Sequence, residues 1–236
     1  MSNVMGSRKV SSRLIGALFL AGFLVYGAGF GLVTSVIGKP DFLSTISAHQ
    51  TALILGAFLM LLNTAVDLGK GVLFFPVLEK HGKRTALAYL AALIVQVVLL
   101  DVGVLALLMI VPLGQHAVDA AGANASWATA LGSLLTKSNT MAYLIGQATL
   151  GVGGLFLCSL LFRARLIPGF LSAWGLVGYA IHVAGSIGEI FGIPVSLWFS
   201  IPGGLFELAL GLWLLIKGFQ PQAYGQDPAD HAPVTA

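Results

Sequence analysis

The chain has 236 residues, of which 57% are hydrophobic and only 9% are charged. A water-soluble domain carries about 25% charged residues, so this composition excludes an ordinary soluble protein and predicts a surface that faces lipid. The net charge of +3 comes from basic residues that flank apolar segments. They form no basic patch with interleaved aromatic residues, which argues against nucleic-acid binding.

Six apolar segments follow one another along the chain, each long enough for a helix to cross a hydrocarbon core about 30 Å thick. The sequence therefore predicts an all-α integral membrane bundle of six transmembrane helices within residues 14–217. The predicted helices are residues 14–37, 51–77, 86–111, 141–162, 167–190 and 194–216. Residues 1–13 form a short N-terminal segment, and the polar tail 218–236 is predicted to be disordered.

Basic residues predict the orientation of these helices. Nine of the 12 Lys and Arg residues lie on one side of the predicted bundle, only Lys39 and Lys137 lie on the other, and Lys70 is inside a span. The nine are Arg8, Lys9, Arg13, Lys80, Lys83, Arg84, Arg163, Arg165 and Lys217. By the positive-inside rule, both termini are expected in the cytoplasm. The first apolar run continues for about 24 residues, beyond the length of a signal-peptide core, so we interpret it as a retained helix.

Ionisable residues inside membrane spans are costly, which makes them candidates for function. Helix two carries Asn63, Asp67 and Lys70 at spacings that place them on one face. Two interpretations are open. Asp67 and Lys70 neutralise each other within the helix, or Asp67 binds a cation or proton and Lys70 tunes it.

The next three helices add further polar residues. Helix three contains Gln96 and Asp101, and helix four carries a stripe that we interpret as packing. Helix five carries a seam of small and polar residues that would admit a close neighbouring helix. His182 in this seam is either a hydrogen-bonded packing residue or a ligand, and Glu189 lies near its end. The helix-four stripe is Tyr143, Gln147, Gly151, Gly154 and Cys158, and the helix-five seam is Gly175, Gly178, His182, Gly185, Glu189 and Gly192.

Helix six contains Pro202, Gly203 and Gly204 in its first half, followed by Glu207. Proline lacks the N–H that a continuing helix needs, so we predict a break or kink near Pro202. The alternative is an ordinary proline kink with no role beyond structure. A rise of about 1.5 Å per residue along each predicted helix places Glu207, Asp67 and Gln96 at similar depths. The three would form a polar cluster near mid-membrane if their faces converge.

Catalytic and cofactor motifs are missing from the sequence. It contains no zinc-protease, nucleophile-elbow, Cys-x-x-Cys or phosphate-loop pattern. His182 is the one histidine that lies clearly within a predicted span, which is weak support for a haem or a zinc ion. We therefore predict no metal and no cofactor, and an enzyme is not favoured.

Several short stretches resemble the bacterial membrane family catalogued as domain of unknown function 4386. They are residues 61–66 (LLNTAV), 73–78 (LFFPVL), 85–90 (TALAYL), 165–168 (RLIP) and 212–218 (LWLLIKG), together with Glu207. The resemblance covers about residues 10–220 and implies a multi-pass protein of the bacterial inner membrane with no established activity. The family acid on the last helix matches Glu207. The third helix of the family often carries an Arg and, three positions later, a Glu, where this chain has Leu93 and Gln96.

Three hypotheses for function stay open at this point. The favoured one is a small transporter or permease that uses mid-membrane carboxylates, with a small molecule or ion as ligand. The second is a non-catalytic assembly, stress or regulatory factor. The third is a lipid-binding protein or intramembrane enzyme that uses His182 and Glu189. The lipid bilayer is the expected partner, and the glycine-rich helix faces allow oligomerisation.

Overall fold

The computed structural model describes residues 2–38, 42–119 and 125–224. These residues form helices and contain no β-strand, which confirms the all-α prediction. The helices are α1 (Ser2–Ile37), α2 (Phe42–Leu108), α3 (Ile110–Asp119), α4 (Ala125–Arg163), α5 (Gly169–Ile190) and α6 (Ser200–Ile216), with 3₁₀ turns at Ser196–Phe199 and Pro221–Tyr224.

Four stretches of helix are long and apolar enough to cross a membrane, and α6 is apolar but shorter. They are Val10–Ile37, Thr45–His116, Ser126–Arg163 and Gly169–Ile190. Large apolar side chains on their outer faces are exposed, among them Leu24, Phe58 and Val98. Lipid would cover such side chains, so this is the architecture of a multi-pass membrane protein.

Helix α2 is a hairpin of two helices that meet at Gly82, where the backbone leaves helical geometry (φ 168°, ψ 82°). We call the halves α2N (residues 42–81) and α2C (residues 83–108). They pack antiparallel: the Gln115 side chain, just beyond α2C, donates to Gln50 Oε1 at 3.0 Å at the open end. Nearer Gly82, the rings of Phe74 and Tyr89 meet edge to face. The predicted helices 51–77 and 86–111 are therefore joined with no separate loop.

The segment 112–140, predicted to lie outside the spans, is helical wherever the structure describes it. Residues 112–119 belong to α3, and residues 125–140 are the first turns of α4, which has 39 residues. Trp127 thus lies on the same continuous helix as the predicted span 141–162. Ala128 is buried and Gly132 packs closely on Leu43. These contacts support the helix in a stretch that is less apolar than the predicted spans.

The bundle has two separate apolar cores. One lies at the end that carries Gly82, Arg163 and Lys217, which we call the basic end, and the second lies at the opposite end. The basic-end core includes Ile15, Phe74, Leu93, Leu157, Phe206 and Leu214. The opposite-end core includes Val33, Ile46, Met60, Leu107, Ile110 and Ala128. Polar side chains fill the layer between them, as described below.

Helix six differs from the sequence prediction. The chain leaves helical structure at residues 191–195, passes through the 3₁₀ turn Ser196–Phe199 and starts α6 at Ser200. Pro202 lies in the first turn of α6, where a missing N–H costs least, so the break precedes it. In the first part of the tail, Phe219 packs on Phe74 and is buried. The remainder, residues 225–236, lies outside the described residues.

Glycine 16 sets the distance between α1 and α6. A Cβ added there would lie 2.6 Å from the Gly211 carbonyl oxygen and 2.7 Å from the Leu215 nitrogen, both of which are backbone atoms. We expect Gly16→Ala to lower the stability of the purified protein by about 1–3 kcal/mol, because the helices must move apart. Thermal unfolding in detergent measures this effect. Gly27→Ala on the same helix is the control, since a Cβ there meets nothing within 4 Å. Equal melting of the two variants would contradict the close packing.

Candidate functional site

A cavity of about 210 Å³ lies between the two apolar cores. Side chains from α1, both halves of α2, α4, α5 and α6 line it, so every long helix contributes. Six of the eight polar residues singled out from the sequence face this one cavity: Asn63, Asp67, Lys70, Gln96, His182 and Glu207. Gly203 and Gly204 also line it. We call it the central cavity.

The Asp67 carboxylate is surrounded by donors from both halves of α2. Lys70 Nζ lies 2.8 Å from Asp67 Oδ1. Asn63 Nδ2 donates to Oδ2 at 3.2 Å, and Gln96 Nε2 donates to the same oxygen at 3.5 Å. All four side chains are buried. Burial of a charge is costly unless it is paired and hydrogen-bonded, and this arrangement meets both conditions. The structure thus contains the Asp67–Lys70 ion pair, on which the first of the two interpretations of helix two rests.

The Lys70 ammonium has a second contact on α1. Its nitrogen lies 4.4 Å from the centroid of the Phe19 ring, within the range of a cation–π interaction. This contact fixes Lys70 against α1 while its charge faces Asp67. The lysine therefore joins α1 to α2N from inside the bundle and does not extend toward the membrane surface.

Glu207 on α6 has a different environment. Tyr179 on α5 donates its hydroxyl proton to Glu207 Oε1 at 2.7 Å. In the part of the chain that the structure describes, no cation forms an ion pair with this carboxylate. The Tyr179 ring also packs edge to face on Phe206. Glu207 thus accepts a hydrogen bond from one neutral donor and lies next to aromatic rings.

His182 on α5 is held by a glutamine on α4. His182 Nε2 lies 2.8 Å from Gln147 Oε1, so in this amide orientation Nε2 carries the proton and Nδ1 is an acceptor. The imidazole ring also lies 5.4 Å from the Phe199 ring. The histidine is therefore hydrogen-bonded, as its packing interpretation expects, and it also lines the central cavity.

Glycines bring α5 and α6 together at this level. A Cβ added at Gly178 would lie 3.0 Å from both the Gly203 nitrogen and the Pro202 carbonyl oxygen. Trp174 Nε1 donates to that carbonyl at 3.1 Å. The Pro202–Gly204 segment is therefore a contact surface for α5, and this contact sets Tyr179 beside Glu207.

A second cavity, of about 320 Å³, lies toward the end opposite the basic end, and we call it the outer cavity. Glu189 lines it together with Asn139 and Thr140. The two cavities share Tyr26, Leu100 and Tyr143. The Tyr26 and Tyr143 rings are stacked, with centroids 6.2 Å apart and an interplanar angle of 16°. This tyrosine pair, Tyr26 and Tyr143, stands where the cavities meet.

Asp101 is the one predicted site residue that lines neither cavity. It is half-buried on α2C, and its Oδ1 has no hydrogen-bond partner in the described residues. The structure therefore places six predicted residues in the central cavity, Glu189 in the outer one and Asp101 in neither.

Several residues that line the central cavity were not part of the predicted site. They are Tyr26, Tyr143, Gln147, Tyr179 and Ser200. Tyr143 and Gln147 share the helix-four stripe that was interpreted as packing. That interpretation fits the part of the stripe nearer the basic end, where Gly154 packs on the Tyr179 ring. The available sequence signal for this part of the site was Gln147, a polar residue four positions after Tyr143 in an apolar span.

The described residues contain no group of three or more His, Cys, Asp or Glu side chains that could hold a metal ion. Cys158 is free and buried. The chemistry available in the central cavity is therefore that of carboxylates, one ammonium, one imidazole, amides, hydroxyls and aromatic rings.

Comparison with known proteins gives one match. The model of the family described as "Domain of unknown function (DUF4386)" matches residues 14–218. No curated protein and no solved structure matches the chain.

Removal of Lys70 tests whether the ion pair supports the bundle. We expect Lys70→Met to destabilise the protein by about 3 kcal/mol or more, because Asp67 keeps its buried charge without a cation. Asp67→Asn in the same chain should restore part of the loss, since Asn63 and Gln96 can still bond an amide. Denaturant titration in detergent of both single variants and the double variant measures the coupling. The exposed Lys80→Met serves as the control, and purely additive losses would contradict the pairing.

Proposed function

Since this chain belongs to the DUF4386 family, whose description assigns no function, we propose its activity from the site: it is a small permease that binds a polar solute in the central cavity. The observation that carries this proposal is the convergence of buried polar side chains from every long helix on one cavity between two apolar cores. Such groups are costly within a membrane, and they are typical of solute and ion pathways.

The proposal includes six membrane passes with both termini in the cytoplasm. The 72-residue apolar stretch folds back on itself at Gly82, which supports two passes in place of one. The 3₁₀ turn Ser196–Phe199 lengthens the short α6 at the end opposite the basic end. The positive-inside rule then assigns the basic end to the cytoplasm of a bacterial inner membrane. The central cavity lies near the middle of these passes, as in many secondary transporters.

Access from the outside would run through the outer cavity. The Tyr26–Tyr143 pair lines both cavities, so we propose that movement of either ring controls the connection between them. The third sequence hypothesis gains less support, because it needs His182 and Glu189 together and these residues line different cavities.

Cysteine accessibility tests the proposal without knowledge of the solute. Ser200 lines the central cavity, and its side chain is half-buried. We expect Ser200→Cys in membrane vesicles to react with a small, charged, membrane-impermeant thiol reagent added from either side. A permease must expose its site alternately to both sides.

Two controls define the background of this experiment. Ser172→Cys makes the same change at a serine that is fully buried and lines neither cavity. The unmodified chain has only the buried Cys158. Neither should react. Reaction from one side alone would indicate a binding pocket in a regulatory protein, and reaction from neither side would make the polar layer structural. Both results contradict transport.

The tyrosine pair gives a second prediction. We expect Tyr143→Ala to increase the rate at which Ser200→Cys reacts from the outside, because the ring between the cavities is gone. The rate from the cytoplasm should change less. Tyr143→Phe keeps the ring and is the matched control, which should react at the original rate. An unchanged outside rate in Tyr143→Ala would show that the outer cavity is not the route.

A further inference from the structure

One buried hydrogen-bond acceptor that lines the central cavity has no donor. Gln96 is 2% exposed and lines the cavity, yet its Oε1 has no hydrogen-bond partner in the described residues. The amide cannot be turned around to solve this, because Nε2 is the atom that faces Asp67 Oδ2. A buried acceptor without a donor is costly. Gln96 Oε1 therefore points to a ligand that carries an N–H or O–H group.

Glu207 contributes a further acceptor. Its Oε1 accepts from Tyr179, and its second carboxylate oxygen, Oε2, belongs to the same cavity-lining side chain. Lys70, Asn63 and Gln96 Nε2 all bond Asp67. His182 Nε2 faces Gln147. Besides the hydroxyls of Ser200, Tyr26 and Tyr143, the cavity therefore offers a ligand a carboxylate oxygen and an amide oxygen.

The charges of the lining point the same way. The cavity contains two carboxylates, Asp67 and Glu207, and one ammonium, Lys70, which is paired with Asp67. A ligand that carries one positive charge would balance Glu207. A carboxylate or phosphate would meet a second negative charge without a free cation to bind it.

Aromatic rings line the rest of the cavity. They are Phe19, Phe23, Tyr26, Tyr143 and Tyr179. The negative face of an aromatic ring attracts a cation within about 6 Å. Phe19 already does so with Lys70, which shows that this lining accommodates an ammonium group. A bare metal ion would use the oxygens alone, whereas an alkylammonium ion uses both oxygens and rings.

We propose that the central cavity binds a small protonated amine, with its N–H groups donated to Glu207 Oε2 and Gln96 Oε1 and its carbon atoms against the aromatic rings. The volume of about 210 Å³ suits a small molecule, since a cavity of about 150 Å³ holds a benzene ring. This inference rests on the proposed function and names the class of solute for it.

Isothermal titration calorimetry of the purified full-length chain in detergent tests the class. The probes are methylammonium and ethylammonium chloride, with methanol as a neutral analogue, acetate as an anion and potassium chloride as a metal cation. We expect heat of binding with the two amines only. Binding of acetate, equal binding of potassium, or no binding of either amine would overturn the inference.

Two variants locate the site. Glu207→Gln should weaken amine binding by at least about tenfold, because a charged hydrogen bond is lost. Glu79→Gln removes a carboxylate that lines neither cavity, and its binding should equal that of the unmodified chain. Equal affinity in all three proteins would place the amine elsewhere and refute this site.

The unmodified protein offers a test that needs no variant to fold. A hydrophobic carbodiimide modifies carboxyl groups in apolar surroundings, and peptide mass spectrometry reads the modification at Glu207. Methylammonium should slow this modification severalfold, while potassium at the same concentration should not. Modification at one rate with and without the amine would contradict binding at Glu207.

The two proposals fail in different ways. If Ser200→Cys reacts from both sides but no amine binds, the chain is a permease for another solute. If amines bind and Glu207→Gln removes that binding while Ser200→Cys reacts from one side only, the cavity is an amine-binding site without transport.

Discussion

The buried Asp67 carboxylate is the group around which the middle of this bundle is arranged. An ion in an apolar interior needs a counter-charge and donors for its remaining lone pairs. Lys70 supplies the first, and Asn63 and Gln96 supply the second. Because Gln96 lies on α2C, its hydrogen bond to Asp67 helps to fix the register of α2C against α2N. Phe19 extends the same arrangement to α1 through Lys70.

The other half of the cavity depends on close backbone contact. Gly178 on α5 lies against the Pro202–Gly203 backbone, and this approach leaves Tyr179 and Glu207 within hydrogen-bond distance. Helix α4 contributes in the same way, since Gly154 leaves room for the Tyr179 ring. The Asp67–Lys70 pair on α2, with Phe19 of α1 against it, thus lies on one side of the cavity, and Tyr179 and Glu207 lie on the other. The first side has a cation for its carboxylate, whereas the second has a carboxylate without an ion pair in the described residues.

The sequence predicts much of this arrangement, and its failures have physical causes. Apolar length and composition were enough for the helical class and the helix positions, and helical spacing placed Asn63, Asp67 and Lys70 on one face. The two helices of the hairpin were predicted, but the residues between 77 and 86 were left out of both, whereas helix continues up to Gly82 from either side. The break before Ser200 lies upstream of Pro202, since a proline in the first turn of a helix disrupts nothing. The roles of Tyr26, Tyr143 and Tyr179 depend on neighbours on other helices, which no single-helix pattern contains.

The short connection at Gly82 between α2N and α2C also affects how the chain inserts into the membrane during synthesis. Asn63, Asp67, Lys70 and Gln96 all belong to one helical hairpin, so their mutual contacts need none of the later helices. A hairpin that inserts as a unit brings its charged residues into lipid already neutralised, at much lower cost than an isolated acid. Glu207 has no such partner in its own segment and meets Tyr179 only after α5 and α6 associate. Biogenesis would therefore proceed in two stages, with the lysine-bearing half stable early and the half that carries the unpaired acid completed last.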